Sequence, residues 1–235
     1  MQLISKQAFA RVGLIGNPSD GYHGKTLAVV VRDFASRVRL YEWDRLEIVW
    51  SQQDHSVFDS IDALVQDVRL HGYYGGVRLV KATIKRFAEF CRRQRLPLHA
   101  RTFSVRYESD IPRCVGLAGS SAIIVATLRA LMEFYGLREE ADIPKRALPS
   151  LALSVETEEL GIPAGLQDRV VQVYEGLVYM DFAREKMEEI CGLKCGVYEP
   201  MDPRLLPPMY VAYRGDASEP TEVPHRNLRA RFERG

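Results

Sequence analysis

Cysteine is scarce in this chain: four residues in 235, at Cys91, Cys114, Cys191 and Cys195. So few thiols in a chain this long exclude the disulfide framework of a small secreted scaffold. Cys191 and Cys195 have no second pair and no histidine nearby, which argues against a zinc site. Long apolar runs are missing as well; none approaches the roughly 20 residues that span a bilayer. The opening residues Met1 to Gln7 lack the basic, apolar and small-residue order of a signal peptide. Nor is there a surplus of one charge: 32 Lys and Arg stand against 31 Asp and Glu, a net charge of +1. Bulk electrostatics therefore point neither to nucleic acid nor to an acidic membrane. What is present is 46% hydrophobic and 27% charged, enough for a sizeable core. The expectation is a cytoplasmic, reduced enzyme.

Along the chain, Phe9–Ile15 reads as a strand, followed by the turn formers Gly16 to Gly21. Thr26–Val31 is a second strand, rich in β-branched residues, and Val38–Trp43 and Leu46–Trp50 are further strands. Val57–Leu70 and Val77–Leu96 read as helices. In the second, Val77, Val80, Ile84, Phe87 and Cys91 recur at helical spacing and predict one buried stripe. Its opposite side carries Lys81, Lys85, Arg86, Arg92, Arg93 and Arg95, which suits a solvated face better than a polyanion patch. Phe103–Tyr107 is a strand, Lys145–Leu160 a helix, and Leu177–Phe182 and Met209–Tyr213 are short strands. Ser19 to Thr26 nearly fits the phosphate-binding pattern G-x-x-x-x-G-K-[ST]. It fails because serine stands at the first position and a strand, not a helix, follows Lys25.

The informative stretch is Pro112-Arg-Cys-Val-Gly-Leu-Ala-Gly-Ser-Ser-Ala122, a small-residue loop running into an apolar helix former. Gly116 and Gly119 let the backbone turn and approach a ligand closely. Ser120 and Ser121 open the helix, where free N–H groups and the helix dipole favour phosphate. The same residues also suit an ordinary loop with a serine cap. Downstream, Glu156 ends one helix and Asp168 sits in the turn after it. Two carboxylates near a phosphate loop fit phosphoryl transfer, where one holds Mg²⁺ and the other handles the proton of an attacking hydroxyl. Alone, Glu156, Glu158 and Glu159 suit a solvated helix face, and Asp168 a turn or cap.

Taken together, Ala10 to Asn17, Pro112 to Ala122 and Glu156 to Asp168 resemble the GHMP kinases. The segments Gly72-Tyr-Tyr-Gly-Gly-Val-Arg-Leu79, Glu159-Leu-Gly-Ile-Pro-Ala-Gly-Leu-Gln-Asp-Arg-Val170, Val173 to Val178 and Leu205 to Pro208 are similar to the plant-type glucuronokinases within that superfamily. The resemblance implies an α/β, two-layer fold. Its N-terminal part would be ribosomal-S5-like with a left-handed β-α-β unit (residues 1–185), followed by a ferredoxin-like C-terminal part (from 186) that is cut short. Family members carry a third glycine-rich motif beyond this point. The chain instead ends in a basic segment with His225, Arg226, Arg229, Arg231 and Arg234, so it reads as truncated and weakly active by itself.

The resemblance further implies an ATP-dependent kinase acting with Mg²⁺ on the anomeric hydroxyl of a small sugar acid, glucuronate, with no nucleic acid or membrane partner. Another sugar or alcohol, or a non-catalytic sugar- and nucleotide-binding role, are the alternatives. Gly116, Leu117, Ala118, Gly119, Ser120 and Ser121 match the nucleotide loop, and Ser121 and Glu156 the metal site. Asp168 would take or orient the hydroxyl proton, and Arg11 would stabilise developing charge. Asp20, Asn17 and Tyr174 would border the sugar; Asn17 and Pro18 replace a Glu-His pair, so the sugar contacts differ from those of galactokinases. For the substrate carboxylate, Arg169, Lys25, Arg113 and His23 are the candidate cations.

Overall fold

The computed structural model describes residues 3–49, 56–71, 77–112 and 115–213. Gly72 to Gly76, Arg113, Cys114 and the basic ending lie outside them. A seven-stranded mixed sheet forms one layer. Strand β1 (Leu3–Ile15) pairs antiparallel with β2 (Lys25–Trp43) along both halves of the latter. β5 (Thr102–Ser109) pairs with β2 from Ser36 to Trp43, and β6 (Leu177–Asp181) with β2 from Lys25 to Val29. Since a strand has only two edges, β5 and β6 share the edge that β1 leaves open. The two strands expected at 26–31 and 38–43 are therefore one, irregular at Arg32 to Phe34 where the register with β1 shifts.

β3 (Leu46–Val49) runs parallel to β5 and antiparallel to β4 (Ser56–Phe58). The crossover between β3 and β5 contains α1 (Ile61–His71) and α2 (Arg78–Gln94), the β-α-β connection a parallel pair requires. Residues 56–58 extend a strand rather than start the helix expected from Val57. On the far edge, β6 pairs with β9 (Val197–Met201), so the sheet continues past the boundary expected at 185/186. β7 (Glu188–Ile190) and β8 (Leu193–Cys195) form a separate hairpin. Residues 209–213 form no strand. No helix among the described residues is long and apolar enough to cross a membrane.

The helix α3 (Gly119–Phe134) is apolar on nearly every side, with Ala122, Ile124, Val125, Ala126, Leu128 and Leu131 buried. Such a helix belongs inside a core. It packs against β1, β2 and α2, and so its N-terminus is fixed by the largest cluster of the molecule. The predicted stripe of α2 is buried, Ile84 and Phe87 completely, each contributing about 1.5–3 kcal/mol through burial. The solvated-face expectation fails for Lys81, Lys85 and Arg86, which are buried or nearly so. Lys81 lies over the Phe58 ring, and Lys85 and Arg86 meet acids beyond the next helix. The helix expected over 145–160 is broken up: α4 spans Leu148–Ser154, and the chain then widens into a π-turn at Val155–Glu159. Helix α5 (Gln167–Tyr174) packs Val170 and Val171 against Ala28 and Val178 in a second, smaller cluster.

Candidate active site

The small-residue loop enters α3 through two left-handed residues, Gly116 at φ 78° and Ala118 at φ 61°. A Cβ on Gly116 would meet nothing, so glycine is required there by its φ and not by crowding. A Cβ on Gly119 would make only an ordinary contact with Ile111, which corrects the expectation that this position needs glycine to turn. The second left-handed angle falls on Ala118 instead. Among the described residues no side chain caps α3, so the first amides of a long buried helix remain as donors. The loop carbonyls, by contrast, are held from behind. The Arg11 amide bonds the Leu117 carbonyl at 3.3 Å, and Arg11 Nη1 bonds that of Gly116 at 3.0 Å. Gln172 Nε2 donates to both Ala118 (2.9 Å) and Phe9 (3.1 Å). With its carbonyls tied inward, the loop suits an anion at its amide face.

A continuous chain of charged contacts runs from this loop. Arg11 Nε donates to Asp168 Oδ1 at 2.5 Å, and Asp168 Oδ2 lies 3.5 Å from Arg169 Nη1. Arg169 Nη2 pairs with Glu156 Oε2, and Glu156 Oε1 accepts from Ser120 Oγ at 2.9 Å. Glu156 and Arg169 are almost wholly buried, whereas Asp168 stays partly open. Burial pushes the Arg169 guanidinium down to about 9, which leaves it charged at neutral pH. Of the predicted pair of acids, Glu156 thus meets Ser120 directly, and Asp168 reaches the loop through Arg11.

Ser121 does not join this chain. Its side chain is fully buried and its hydroxyl donates to the Ala118 carbonyl at 3.1 Å, so it is Ser120 that meets Glu156. Ser120 Oγ with a glutamate oxygen is a hard-oxygen donor pair that fits Mg²⁺ when phosphates complete the shell. Arg169, considered for a substrate carboxylate, is instead committed to Glu156, Asp168 and the Gly165 carbonyl at 2.8 Å.

Asp20 reaches the site from the turn after β1, its Oδ2 accepting from the Gln167 amide at 2.9 Å. Burial, and the charge of Asp168 beyond it, hold its carboxyl above the usual range, against the opposing pull of the Gln167 amide and Arg169. The fit is close: a Cβ on Gly165 would lie 2.0 Å from Asp20 Oδ2. Exposed Asn17 converges with Gly13 and Gln167, because a Cβ on Gly13 would meet Gln167 Nε2 at 2.7 Å and Asn17 Cβ at 3.0 Å. Gln167, which sequence reasoning passed over, buries both polar atoms of its carboxamide without a hydrogen-bond partner among the described residues, as does Arg169 at Nε. Gln172 was passed over too; only its position four residues after Asp168, on the same helix face, signals it.

Two expected residues stand apart. Lys25 is exposed and its ammonium lies 3.7 Å from Asp181, not from a site carboxylate. Tyr174, at the opposite end of α5 from Asp168, packs on Tyr198 with ring centroids 5.6 Å apart under the Lys145 ammonium. Burial pushes its phenol up to about 12. His23 is exposed and left-handed, at φ 61°.

The GHMP kinases N terminal domain family matches residues 78–176, which include the loop, Glu156 and Asp168. Glucuronokinase 1 of Arabidopsis thaliana is 42% identical over 231 residues, 97% of this chain and 62% of its own length. Probable glucuronokinase 2 of the same plant is 42% identical over 233 residues, with 98% and 62% covered. The chain therefore spans about three-fifths of the length of these curated relatives. Among solved structures, a D-glycero-D-manno-heptose 1-phosphate kinase from Bacteroides thetaiotaomicron superposes with a TM-score of 0.64 at 22% identity, over 86% of this chain and 60% of that one. That likeness carries the fold. In its loop-to-helix entry and paired acids, the chain is similar to the GHMP kinases and, among them, to the glucuronokinases of Arabidopsis thaliana.

Proposed function

We propose that this chain provides the phosphate loop and the reacting acids of an ATP-dependent sugar 1-kinase whose substrate is glucuronate. The single observation that carries the reading is the contact chain Arg11–Asp168–Arg169–Glu156–Ser120 beside the loop. The choice of sugar rests on the relatives named glucuronokinase. The triphosphate lies against the amides that open α3, and the anomeric hydroxyl lies at Asp168. Asp168 accepts or orients the hydroxyl proton as the oxygen attacks the γ-phosphorus, and the bond to the β-phosphate oxygen breaks. Arg11, fixed between Asp168 and the Gly116 carbonyl, sets the direction of that carboxylate and stabilises charge on the transferring group. Ser120 and Glu156 would hold Mg²⁺, which neutralises phosphate charge when bound. Asp20, oriented by the Gln167 amide, receives a sugar hydroxyl, with Asn17 at the rim. The free thiols Cys91, Cys191 and Cys195 suit a reducing, cytoplasmic compartment.

The decisive experiment supplies the protein with ATP, Mg²⁺ and a panel of glucuronate, galacturonate, glucose, galactose and buffer alone. ADP release and phosphorus NMR are followed. The reading expects ADP formation with glucuronate and a new anomeric phosphate resonance. Preference for a neutral sugar would keep the kinase and discard the substrate. Nucleotide binding without turnover on any member would favour a non-catalytic binder.

A further inference from the structure

Glu156 meets Ser120 from a π-turn, a rare geometry that often marks functional sites. In an uninterrupted α-helix, residues three apart share a face, and Glu156 would stand beside Glu159. Here the acids part company. Glu156 turns to Ser120 and Arg169, while Glu158 and Glu159 turn to α2. Lys85 Nζ bonds Glu159 Oε2 and lies 3.5 Å from Glu89 Oε1. Arg86 donates from Nη2 to Glu158 Oε2 at 2.6 Å and from Nε to Ser154 Oγ at 3.3 Å. Lys85, Glu159 and Arg86 are mostly buried at this contact, so their charges are poorly screened by water. Within the turn, the Leu160 amide bonds the Val155 carbonyl at 3.2 Å, and the Ile162 amide that of Glu156 at 2.7 Å.

Three glutamates within four residues repel one another, and a turn carrying them has no intrinsic reason to keep this register. We propose that Lys85 and Arg86 are positioning residues for Glu156: by neutralising Glu159 and Glu158 from outside, they fix the π-turn so that the third acid faces Ser120. Among the described residues, neither cation bonds the loop or the reacting acids; both act through the turn. The consequence for metal dependence rests on the kinase reading above, whereas the claim about the turn stands without it.

Two readouts separate these. Hydrogen exchange at the Leu160 and Ile162 amides reports the turn, and the Mg²⁺ concentration for half-maximal binding of a fluorescent ATP analogue reports Glu156. In Lys85→Met, exchange at both amides should rise while β2 amides keep their protection. The Mg²⁺ requirement should rise about tenfold, the scale seen when groups supporting a metal ligand are removed. Lys85→Arg, and the charge swap Lys85→Glu with Glu159→Lys, should return both readouts towards the parent. Unchanged exchange in Lys85→Met, or a folded swap variant that fails to restore protection, overturns the proposal. A parent protein that binds no nucleotide, with exchange still responding to Lys85, keeps the positioning role and removes the kinase reading.

Discussion

In the proposed reaction, Asp168 is the residue on which the chemistry turns. Replacing it with Asn keeps an acceptor for Arg11 but removes the charge that draws a proton. Asp168→Asn should therefore lower turnover by about 10²–10⁴-fold while nucleotide binding stays nearly intact; steady-state ADP release and calorimetric titration of ATP check this together. Asp20 yields a prediction of the opposite kind. Its carboxyl is raised, chiefly by burial, so the folded state holds that proton more tightly than the unfolded chain does. The associated penalty is absent below the ordinary carboxylate range, where both states are protonated, and grows as pH rises through the ordinary value to the raised one. Asp20→Asn should melt higher than the parent at neutral pH, with the advantage vanishing in acid; melting curves across pH decide it. Sugar binding should weaken in the same variant. At this scale the sequence disclosed the acids but not their company. Glu156 and Asp168 could be picked out by their place after the small-residue loop and by the family resemblance, yet that Ser120 and not Ser121 meets Glu156, and that Glu156 closes off Arg169, depend on which side chain a buried helix turns inward.

Elements add constraints that no single residue reveals. The loop before α3 places a non-glycine residue, Ala118, in the left-handed region, at a cost of about 1–2 kcal/mol. Ala118→Gly relieves it but gives the unfolded chain more freedom, by about 0.4–1 kcal/mol. A net stabilisation of about 0–1.6 kcal/mol should appear in denaturant melts. Gln172 pulls the other way. Its one amide group serves carbonyls from β1 and from the loop, and Gln172→Ala removes both bonds, at about 0.5–1.5 kcal/mol each. Loosening the loop should also raise the ATP concentration needed for half-saturation. Helical stripes were legible here: α2 buries the apolar residues its periodicity marks, and α3 the run it announces. Breaks were not. Nothing local ends α4 at Ser154 and opens a π-turn; pairing with Lys85 and Arg86, more than sixty residues upstream, decides it. Nor could the runs at 26–31 and 38–43 declare themselves one strand, since among the described strands it is β1 that bridges the irregularity between them.

On the scale of the molecule, the site joins parts that fold around different centres. The loop belongs to the large core through α3, and Asp168 to the smaller cluster through α5. Arg11 and Gln172 bridge them to β1. A ligand gripping the loop and both acids should therefore stabilise the whole fold and not one lobe. By mass action, ATP with Mg²⁺ at 100 times its dissociation constant adds about 2.7 kcal/mol, which for a protein of this size raises the melting temperature by about 5–10 °C. Glu156→Gln separates the metal from the phosphate contribution. It removes the charge opposite Arg169 and the stronger of the oxygen donors beside Ser120. The variant itself should melt lower, because a buried guanidinium loses its counter-charge. Its rise with ATP alone should match the parent's, since the α3 amides are untouched. The extra rise that Mg²⁺ gives the parent should be absent. A Glu156→Gln protein with the full Mg²⁺-dependent rise would place the metal elsewhere, and with it the division of labour between the two acids.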